Sequence, residues 1–182
     1  MVEVIHDLNA DPDVSGLIIQ LPLPKALQSR LPQITREIDP KKDVDGFTAY
    51  NLGKVFLSAE FEHLPPATPL GVIELLNHYK IPIAGQHAVV VGASNIVGKP
   101  LAAMLLNRGA TVTVCHIETK DLASHTRQAD ILVSAVGKPG LITADMVKQG
   151  AVVIDIGASK VKSEIVGDVD FEGACERASF IT

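Results

Sequence analysis

The stretch Val89-Val90-Val91-Gly92-Ala93-Ser94-Asn95-Ile96-Val97-Gly98-Lys99-Pro100 decides the fold class of this 182-residue chain. An apolar run leads directly into a glycine turn and then into a segment that can form a helix. A strand, turn and helix in this order are typical of phosphate-binding turns, because glycine lets the backbone approach a pyrophosphate and the helix N-terminus presents oriented N–H groups. Ser94 replaces the second glycine of the G-x-G-x-x-G pattern, and Gly98 comes one residue late. A tight turn that binds no ligand therefore remains the alternative.

Strands and helices alternate along the chain from residue 85. The predicted strands are Ala88–Val91, Ala110–Cys115, Ile131–Val136 and Ala151–Ile156. The predicted helices between them are Pro100–Leu106, Asp121–Gln128 and Ala144–Gln149. Near-continuous apolar strands separated by helices indicate a parallel sheet covered on both faces. The predicted fold class is α/β, with a doubly wound parallel-sheet (Rossmann-like) cofactor domain.

Prolines at 65, 66 and 69 mark the predicted domain boundary, which divides the chain into residues 1–64 and 65–182. The first part is predicted to hold a strand at Val14–Leu21 and a helix at Ala26–Ile38, as part of an α/β substrate domain. In the second part, Thr68 is the expected N-cap of a helix and Pro69 its first residue.

Three predicted strands of the second part end close to glycine, at Gly92, Gly137 and Gly157. In open α/β sheets ligands bind outside the carboxyl ends of the strands, so these three turns are predicted to line one crevice. The strand ending at Cys115 is where such a domain selects its cofactor. No acidic residue stands at its end, which favours NADP slightly over NAD. His116 is either a phosphate contact or a histidine bonded to backbone.

Polar residues with possible chemical roles also occur in the first part. Gln20 follows a predicted strand and precedes a proline-rich turn. Asp43 and Asp45 flank one residue, so in an extended conformation they would share a face. Either aspartate could instead cap a turn or helix. No third ligand accompanies them, and no metal is expected.

Composition limits the class of partner. The formal net charge is −5, and no basic stripe occurs, which disfavours binding to nucleic acid. The chain has only two cysteines, Cys115 is expected to be a buried strand residue, and no apolar run is long enough to span a membrane. No signal peptide is visible, so we expect a cytoplasmic protein that associates with neither nucleic acid nor membrane.

Six motifs together resemble the bifunctional methylenetetrahydrofolate dehydrogenase/methenyltetrahydrofolate cyclohydrolase family. They occur in the family's order and cover nearly the whole chain. They are Gln20-Leu21-Pro22-Leu23-Pro24, Lys42-Asp43-Val44-Asp45-Gly46, Thr68-Pro69 with Gly71, Gly92–Pro100, Val136-Gly137-Lys138-Pro139-Gly140 and Val166-Gly167-Asp168-Val169.

The resemblance implies two reactions in one site, within one-carbon metabolism and purine biosynthesis. NADP oxidises 5,10-methylenetetrahydrofolate to the methenyl form, which is hydrolysed to 10-formyltetrahydrofolate. Gln20 and Asp45 are the implied catalytic residues: Gln20 positions the catalytic lysine and substrate, and Asp45 holds the pterin, which Leu21 and Pro22 also contact. The implied cofactor contacts are Gly92, Ala93, Ser94, Ile117 and Ala158. A homodimer is also implied.

The chain departs from the family pattern at several places. Ile117 replaces a polar or basic residue often used on the 2′-phosphate, which leaves NAD possible, and Gly157-Ala158-Ser159 replaces Gly-Ile-Asn. The family's Y-x-x-x-K helix, which carries the catalytic lysine, and its folate loop are not found, so we expect a family member cut at both ends. Tyr50 and Lys54 have the Y-x-x-x-K spacing but follow the Asp45 loop, and we interpret them as a coincidence.

Two other functions stay open at this point. One is a non-catalytic dinucleotide-binding fragment or pseudoenzyme. The other is a different Rossmann oxidoreductase, for which a catalytic Lys/Asp pair near the cleft would be the distinguishing feature.

We predict almost no dehydrogenase or cyclohydrolase activity for the 182-residue chain alone. A positioned acid or base contributes ~10²–10⁴-fold, and the amide of Gln20 does not titrate. The measurement is methenyltetrahydrofolate absorbance, beside a version extended through the Y-x-x-x-K helix and the folate loop. In the extended protein, Asp45→Asn should mainly weaken folate binding and Gln20→Ala should mainly slow turnover. Full activity in the short chain would contradict this placement of the catalytic residues.

Overall fold

The computed structural model describes all 182 residues. Its helices are α1 (Val2–Ala10), α2 (Lys25–Gln28), α3 (Leu31–Thr35), α4 (Ala49–Leu57), α5 (Ala67–His78), α6 (Gly98–Asn107), α7 (Leu122–Thr126) and α8 (Phe171–Cys175). Its strands are β1 (His87–Val91), β2 (Thr111–Cys115), β3 (Ile131–Ser134), β4 (Val152–Asp155), β5 (Ser159–Val161), β6 (Glu164–Val166) and β7 (Phe180–Ile181). Single 3₁₀ turns lie at Ala59–Phe61 and Ala144–Met146.

The predicted α/β fold class is confirmed. Five parallel strands form one sheet in the order β2-β1-β3-β4-β7, and β5 and β6 form a separate antiparallel hairpin. Alternate residues of β1 belong to two different cores: Ala88 and Val90 pack with α5 and α6, whereas Val89 and Val91 pack with Leu132 and α8. Both faces of the sheet are therefore covered, which explains why its central strands are continuous apolar runs.

The first part of the chain is less regular than predicted. No strand forms at residues 14–21; only Leu17 makes a parallel bridge, with Asp43, in which the Leu17 N–H donates to the Lys42 carbonyl at 2.7 Å. The predicted helix over 26–38 is two short helices, α2 and α3, and Pro32 is the second residue of α3. A small core holds these pieces together, made of Ile5, Leu17, Leu23, Ile34 and Ile38.

Two predictions in the second part are also wrong. Helix α5 begins at Ala67 after Pro66, so Thr68 lies inside the helix instead of capping it, and Pro69 is the third residue instead of the first. The predicted helix over 144–149 is a single 3₁₀ turn.

Helix α4 joins the first part of the chain to the second. Val55 is fully buried in the core around α5 and α6, and its carbonyl accepts a hydrogen bond from Asn107 Nδ2 at 2.6 Å. Beyond α4, the side chain of Glu62 is 3% exposed and accepts from both terminal nitrogens of Arg108, at 2.8 and 3.1 Å. A two-pronged pair of this kind holds a defined geometry, so the C-terminal end of α6 is anchored to the segment that follows α4.

No helix of the chain combines the length and the apolar character that crossing a bilayer requires.

Helix α6 starts directly on the end of β1. A Cβ atom at Gly98 would overlap the carbonyl oxygen of Gly92, so the helix and the strand end approach as closely as two backbones can. Gly71, inside α5, is the contrasting case, because a Cβ there would meet nothing within 4 Å.

We expect opposite effects from the same substitution at these two glycines. Gly98→Ala should lower the free energy of unfolding by about 1–3 kcal/mol or more, because backbone must move to admit the methyl group. Gly71→Ala should raise it by about 0.5–1 kcal/mol, because alanine loses less conformational entropy in a helix. Chemical denaturation of both variants measures this, and equal effects at the two positions would disprove the close approach.

Candidate functional site

The carboxyl ends of β1, β3 and β4 meet at one edge of the sheet. Val91 is in register with Ser134, and Ser134 with Asp155, so the turns holding Gly92, Gly137 and Gly157 follow side by side. Strand β3 neighbours β1 although β2 lies between them in sequence, so the connections diverge at this point. Ligands of open α/β sheets bind in the crevice at such a switch point.

The turn between β1 and α6 has the features of an anion-binding turn. The Ser94 hydroxyl accepts from the N–H groups of Val97 at 3.1 Å and Gly98 at 3.4 Å, and so holds the turn that leads into α6. The N–H groups of residues 93–96 have no acceptor within the protein. Four free N–H groups beside a helix N-terminus are suited to bind phosphate oxygens.

Gly92 is required for a reason that differs from the sequence-based one. Its φ is +118°, which side-chain-bearing residues rarely adopt, and a Cβ there would lie 2.5 Å from the Ala135 carbonyl oxygen. The space beside Gly92 is thus taken by the end of β3. Glycine at this position allows two neighbouring strand ends to lie close together.

The loop after β2 carries an unusual exposed residue. The Ile117 side chain is 96% exposed, although it is apolar. His116 Nδ1 accepts from the Glu118 N–H at 3.2 Å, which favours the interpretation of His116 as a histidine bonded to backbone. Cys115 is buried as predicted, and this burial raises the pKa of its thiol.

Two aspartates that sequence reasoning did not assign organise the turns after β3 and β4. The carboxylate of Asp168 accepts from Ser134 Oγ and from three consecutive N–H groups, at residues 136–138. Asp155 accepts from the N–H groups of Gly157 and Val169, both at 2.9 Å. A Cβ at Gly157 would overlap the Asp168 carboxylate, and one at Gly167 would overlap Asp155. The sequence features that could have indicated these two aspartates are Asp155 two residues before Gly157 and Asp168 directly after Gly167.

The Leu17–Asp43 bridge joins the segment that carries Gln20 to the loop that carries Asp45. The Gln20 side chain is exposed, and its Nε2 donates to the carbonyl of Leu21 at 3.0 Å. The peptide bond between Leu21 and Pro22 is cis. Gln20 follows an irregular segment, not the predicted strand.

Asp43 and Asp45 do not share a face, because residues 43–46 form a turn, in which the Gly46 N–H donates to the Asp43 carbonyl at 3.3 Å. Asp43 is 1% exposed and accepts from the N–H groups of Phe47 and Thr48 and from Asn51 Nδ2. It is therefore a structural residue of the loop. Asp45 is half-buried, and burial together with the charge of Asp43 raises the pKa of its carboxyl above 3.8.

The remaining predicted contacts are all accessible: Ala93 is half-buried, and Ser94 and Ala158 are exposed. A cleft of about 360 Å³ lies between α3, α4 and the β1–α6 turn. Asn95 and Ile96 of that turn line it, and none of the site residues predicted from the sequence does. Tyr50 and Lys54 line another cleft with Asp39 and His63, and Lys54 Nζ lies 4.6 Å from the centre of the Tyr50 ring.

Two family descriptions match the chain. Residues 66–182 match "Tetrahydrofolate dehydrogenase/cyclohydrolase, NAD(P)-binding domain", and residues 1–45 match the catalytic domain of the same family.

Individual relatives agree with this match. The bifunctional protein FolD of a Nitratiruptor species is 57% identical over 99% of this chain and 62% of its own length. The crystal structure of the bifunctional enzyme FolD from Campylobacter jejuni is 49% identical with a TM-score of 0.95, covering 100% of this chain and 64% of that one. The Trypanosoma brucei enzyme, solved with NADP and an inhibitor, is 36% identical with a TM-score of 0.91, covering 100% and 65%. The chain thus spans less than two thirds of each relative, and it belongs to the tetrahydrofolate dehydrogenase/cyclohydrolase family.

Proposed function

We propose that this chain serves the two reactions of its family: NADP-dependent oxidation of 5,10-methylenetetrahydrofolate to 5,10-methenyltetrahydrofolate, and hydrolysis of that product to 10-formyltetrahydrofolate. The observation that carries the proposal is the set of free N–H groups at residues 93–96, placed at the switch point of the sheet. Because the chain belongs to this family, the alternative that it is a different Rossmann oxidoreductase is excluded. A non-catalytic dinucleotide-binding protein remains the alternative.

The proposed division is a partial folate-binding domain at residues 1–64 and an NAD(P)-binding domain at residues 65–182. The ranges of the two family matches support it. Within this division α4 is the shared element, because it follows the Asp45 loop while Val55 is buried against α6.

The cofactor half of the proposal uses the turns at the carboxyl edge of the sheet. Ala93 and Ser94 would hold the pyrophosphate through backbone N–H groups, and Gly92, whose own N–H donates to the Cys115 carbonyl at 2.9 Å, would shape the turn that presents them. Ile117 would lie at the adenosine ribose, and Ala158 at the nicotinamide. When bound, NADP accepts a hydride from the methylene carbon of the folate. Ile117 cannot form an ion pair with the 2′-phosphate, which only NADP carries. NAD is therefore the competing cofactor, and its binding should be measured as well.

The folate half of the proposal uses Gln20, Leu21, Pro22 and Asp45. An ionised carboxylate at Asp45 can accept from both the amine and the ring N–H of a pterin, and such charge-assisted hydrogen bonds are stronger than neutral ones. Gln20 would orient the substrate and the acid/base group through its amide. Leu21 and Pro22 would contact the pterin through backbone and apolar surface.

The proposed partners are tetrahydrofolate derivatives and a second copy of this chain, as a homodimer in the cytoplasm. Exposed apolar side chains support self-association: Phe56 and Leu57 at the end of α4 and Ile165 on the β5–β6 hairpin. Both cysteines are free, as is usual in a reducing compartment. The net charge of −5 argues against a nucleic acid partner. The proposed pathway role is in one-carbon metabolism, including purine biosynthesis.

Titration calorimetry with NADP, and with NAD in parallel, tests the phosphate-binding turn. We expect saturable NADP binding by the 182-residue chain. Ser94→Asp should weaken it more than about tenfold, because a carboxylate repels the pyrophosphate. Asparagine has the size and shape of aspartate without its charge, so Ser94→Asn is the matched neutral control and should bind more tightly than Ser94→Asp. Equal affinity of the Asp and Asn variants would refute this site.

Binding of 5-formyltetrahydrofolate as a function of pH tests Asp45. The carboxylate must be ionised to accept from the pterin, so affinity is present above its pKa and is lost as the pH falls through it. Because that pKa is raised above 3.8, the loss should begin at a higher pH than an ordinary aspartate would cause. Fluorescence titration should show a weaker, flatter dependence in Asp45→Asn, beside the exposed control Asp13→Asn. The same pH dependence with and without Asp45 would contradict the assignment.

A further inference from the structure

Asp168 is a buried carboxylate that no cation neutralises. It is 0% exposed, and no lysine, arginine or histidine forms an ion pair with it. Its Oδ2 accepts from Ser134 Oγ at 2.9 Å and from the N–H groups of Val136 at 2.8 Å and Gly137 at 3.2 Å. Its Oδ1 accepts from the Lys138 N–H at 2.6 Å. A buried charge is tolerated only when it is fully hydrogen-bonded, as it is here.

The turn at residues 136–138 is shaped for this carboxylate. Gly137 has a φ of +74°, in the left-handed region, and three successive N–H groups converge on one point. Such a concave set of N–H groups is an anion-binding nest. In this chain the anion belongs to the protein itself and lies 30 to 32 residues further along the sequence.

The opposite side of the same turn is tethered as well. Ser159 Oγ donates to the Gly137 carbonyl at 2.8 Å, so both the N–H groups and the carbonyl of the turn are held by segments that follow β4. The turn continues directly from Ala135, whose carbonyl approaches Gly92, and its Val136 side chain is 45% exposed. It therefore forms a fixed wall of the crevice on the β3 side of the switch point.

We propose that Asp168 is a positioning residue that holds the turn at residues 136–138 as the wall against which the nicotinamide half of the dinucleotide packs. The inference rests on the proposed function. The β1 turn takes the pyrophosphate and the end of β2 takes the adenosine ribose, so the other half of the molecule must extend across the switch point toward β3 and β4. Asp168 touches no ligand in this arrangement and acts through Val136 and Gly137.

The test is calorimetric titration of the 182-residue chain with NADP and, separately, with 2′,5′-ADP, which lacks the nicotinamide half. Asp168→Asn keeps the shape of the side chain but turns an NH₂ group toward N–H donors, so at least one hydrogen bond to it is lost. We expect its NADP affinity to fall at least about tenfold while its 2′,5′-ADP affinity changes less than about twofold. Ser134→Ala is the matched control, because it removes the one donor outside the turn and should leave both affinities within about twofold.

A merely structural role would weaken both ligands together, so equal losses in Asp168→Asn would overturn the proposal, as would unchanged NADP binding. If Asp168→Asn does not fold, Ser159→Ala releases the same turn from its surface side. It should weaken NADP without affecting 2′,5′-ADP, and unchanged NADP binding in that variant would overturn the proposal. Failure of the unaltered chain to bind either ligand would instead refute the proposed function.

Discussion

The contact between Gly98 and the Gly92 carbonyl is the constraint on which the rest of the site depends. Because no Cβ separates them, the first turn of α6 lies on the end of β1. Gly92 in turn has no side chain, so β3 can end close beside β1. These two close backbone contacts bring the turn at residues 93–96 and the turn at residues 136–138 to the same edge of the sheet.

The strands that the sequence predicted best are the buried strands β1, β3 and β4 and the edge strand β2 beside them. Strands β1, β2, β3 and β4 lie within one or two residues of their predicted bounds, because a short apolar run between glycine-rich turns is typical of a buried parallel strand. The run at residues 14–21 looked similar but forms only one bridge, and its Ile18 is 66% exposed. The β5–β6 hairpin was not predicted, because its two three-residue strands are mostly exposed and lack the continuous apolar pattern of a buried strand. Helix α4 was not predicted either.

The candidate site was predictable only in part. Glycine turns are local features, so residues 92–98 could be found from the chain alone. Whether an aspartate faces a ligand or the protein depends on distant partners, and Asp43 and Asp45 look alike in sequence. The structure separates them, since the Asp43 carboxylate already accepts from the N–H groups of Phe47 and Thr48 and from Asn51 in α4. Asp168 was missed for the same reason, because its partners are 30 to 34 residues away.

The filled nest at residues 136–138 restricts the direction in which a long ligand can lie. An elongated molecule with a phosphate group at its middle could, in principle, be placed at this edge in either of two opposite orientations. At this edge the protein's own carboxylate occupies the N–H groups of residues 136–138, whereas the N–H groups of residues 93–96 stay open. Because the four consecutive open N–H groups follow β1 and those after β3 are filled, the crevice is asymmetric about the switch point. The position of the phosphate-binding turn would therefore fix the orientation of a bound dinucleotide before either of its rings is recognised.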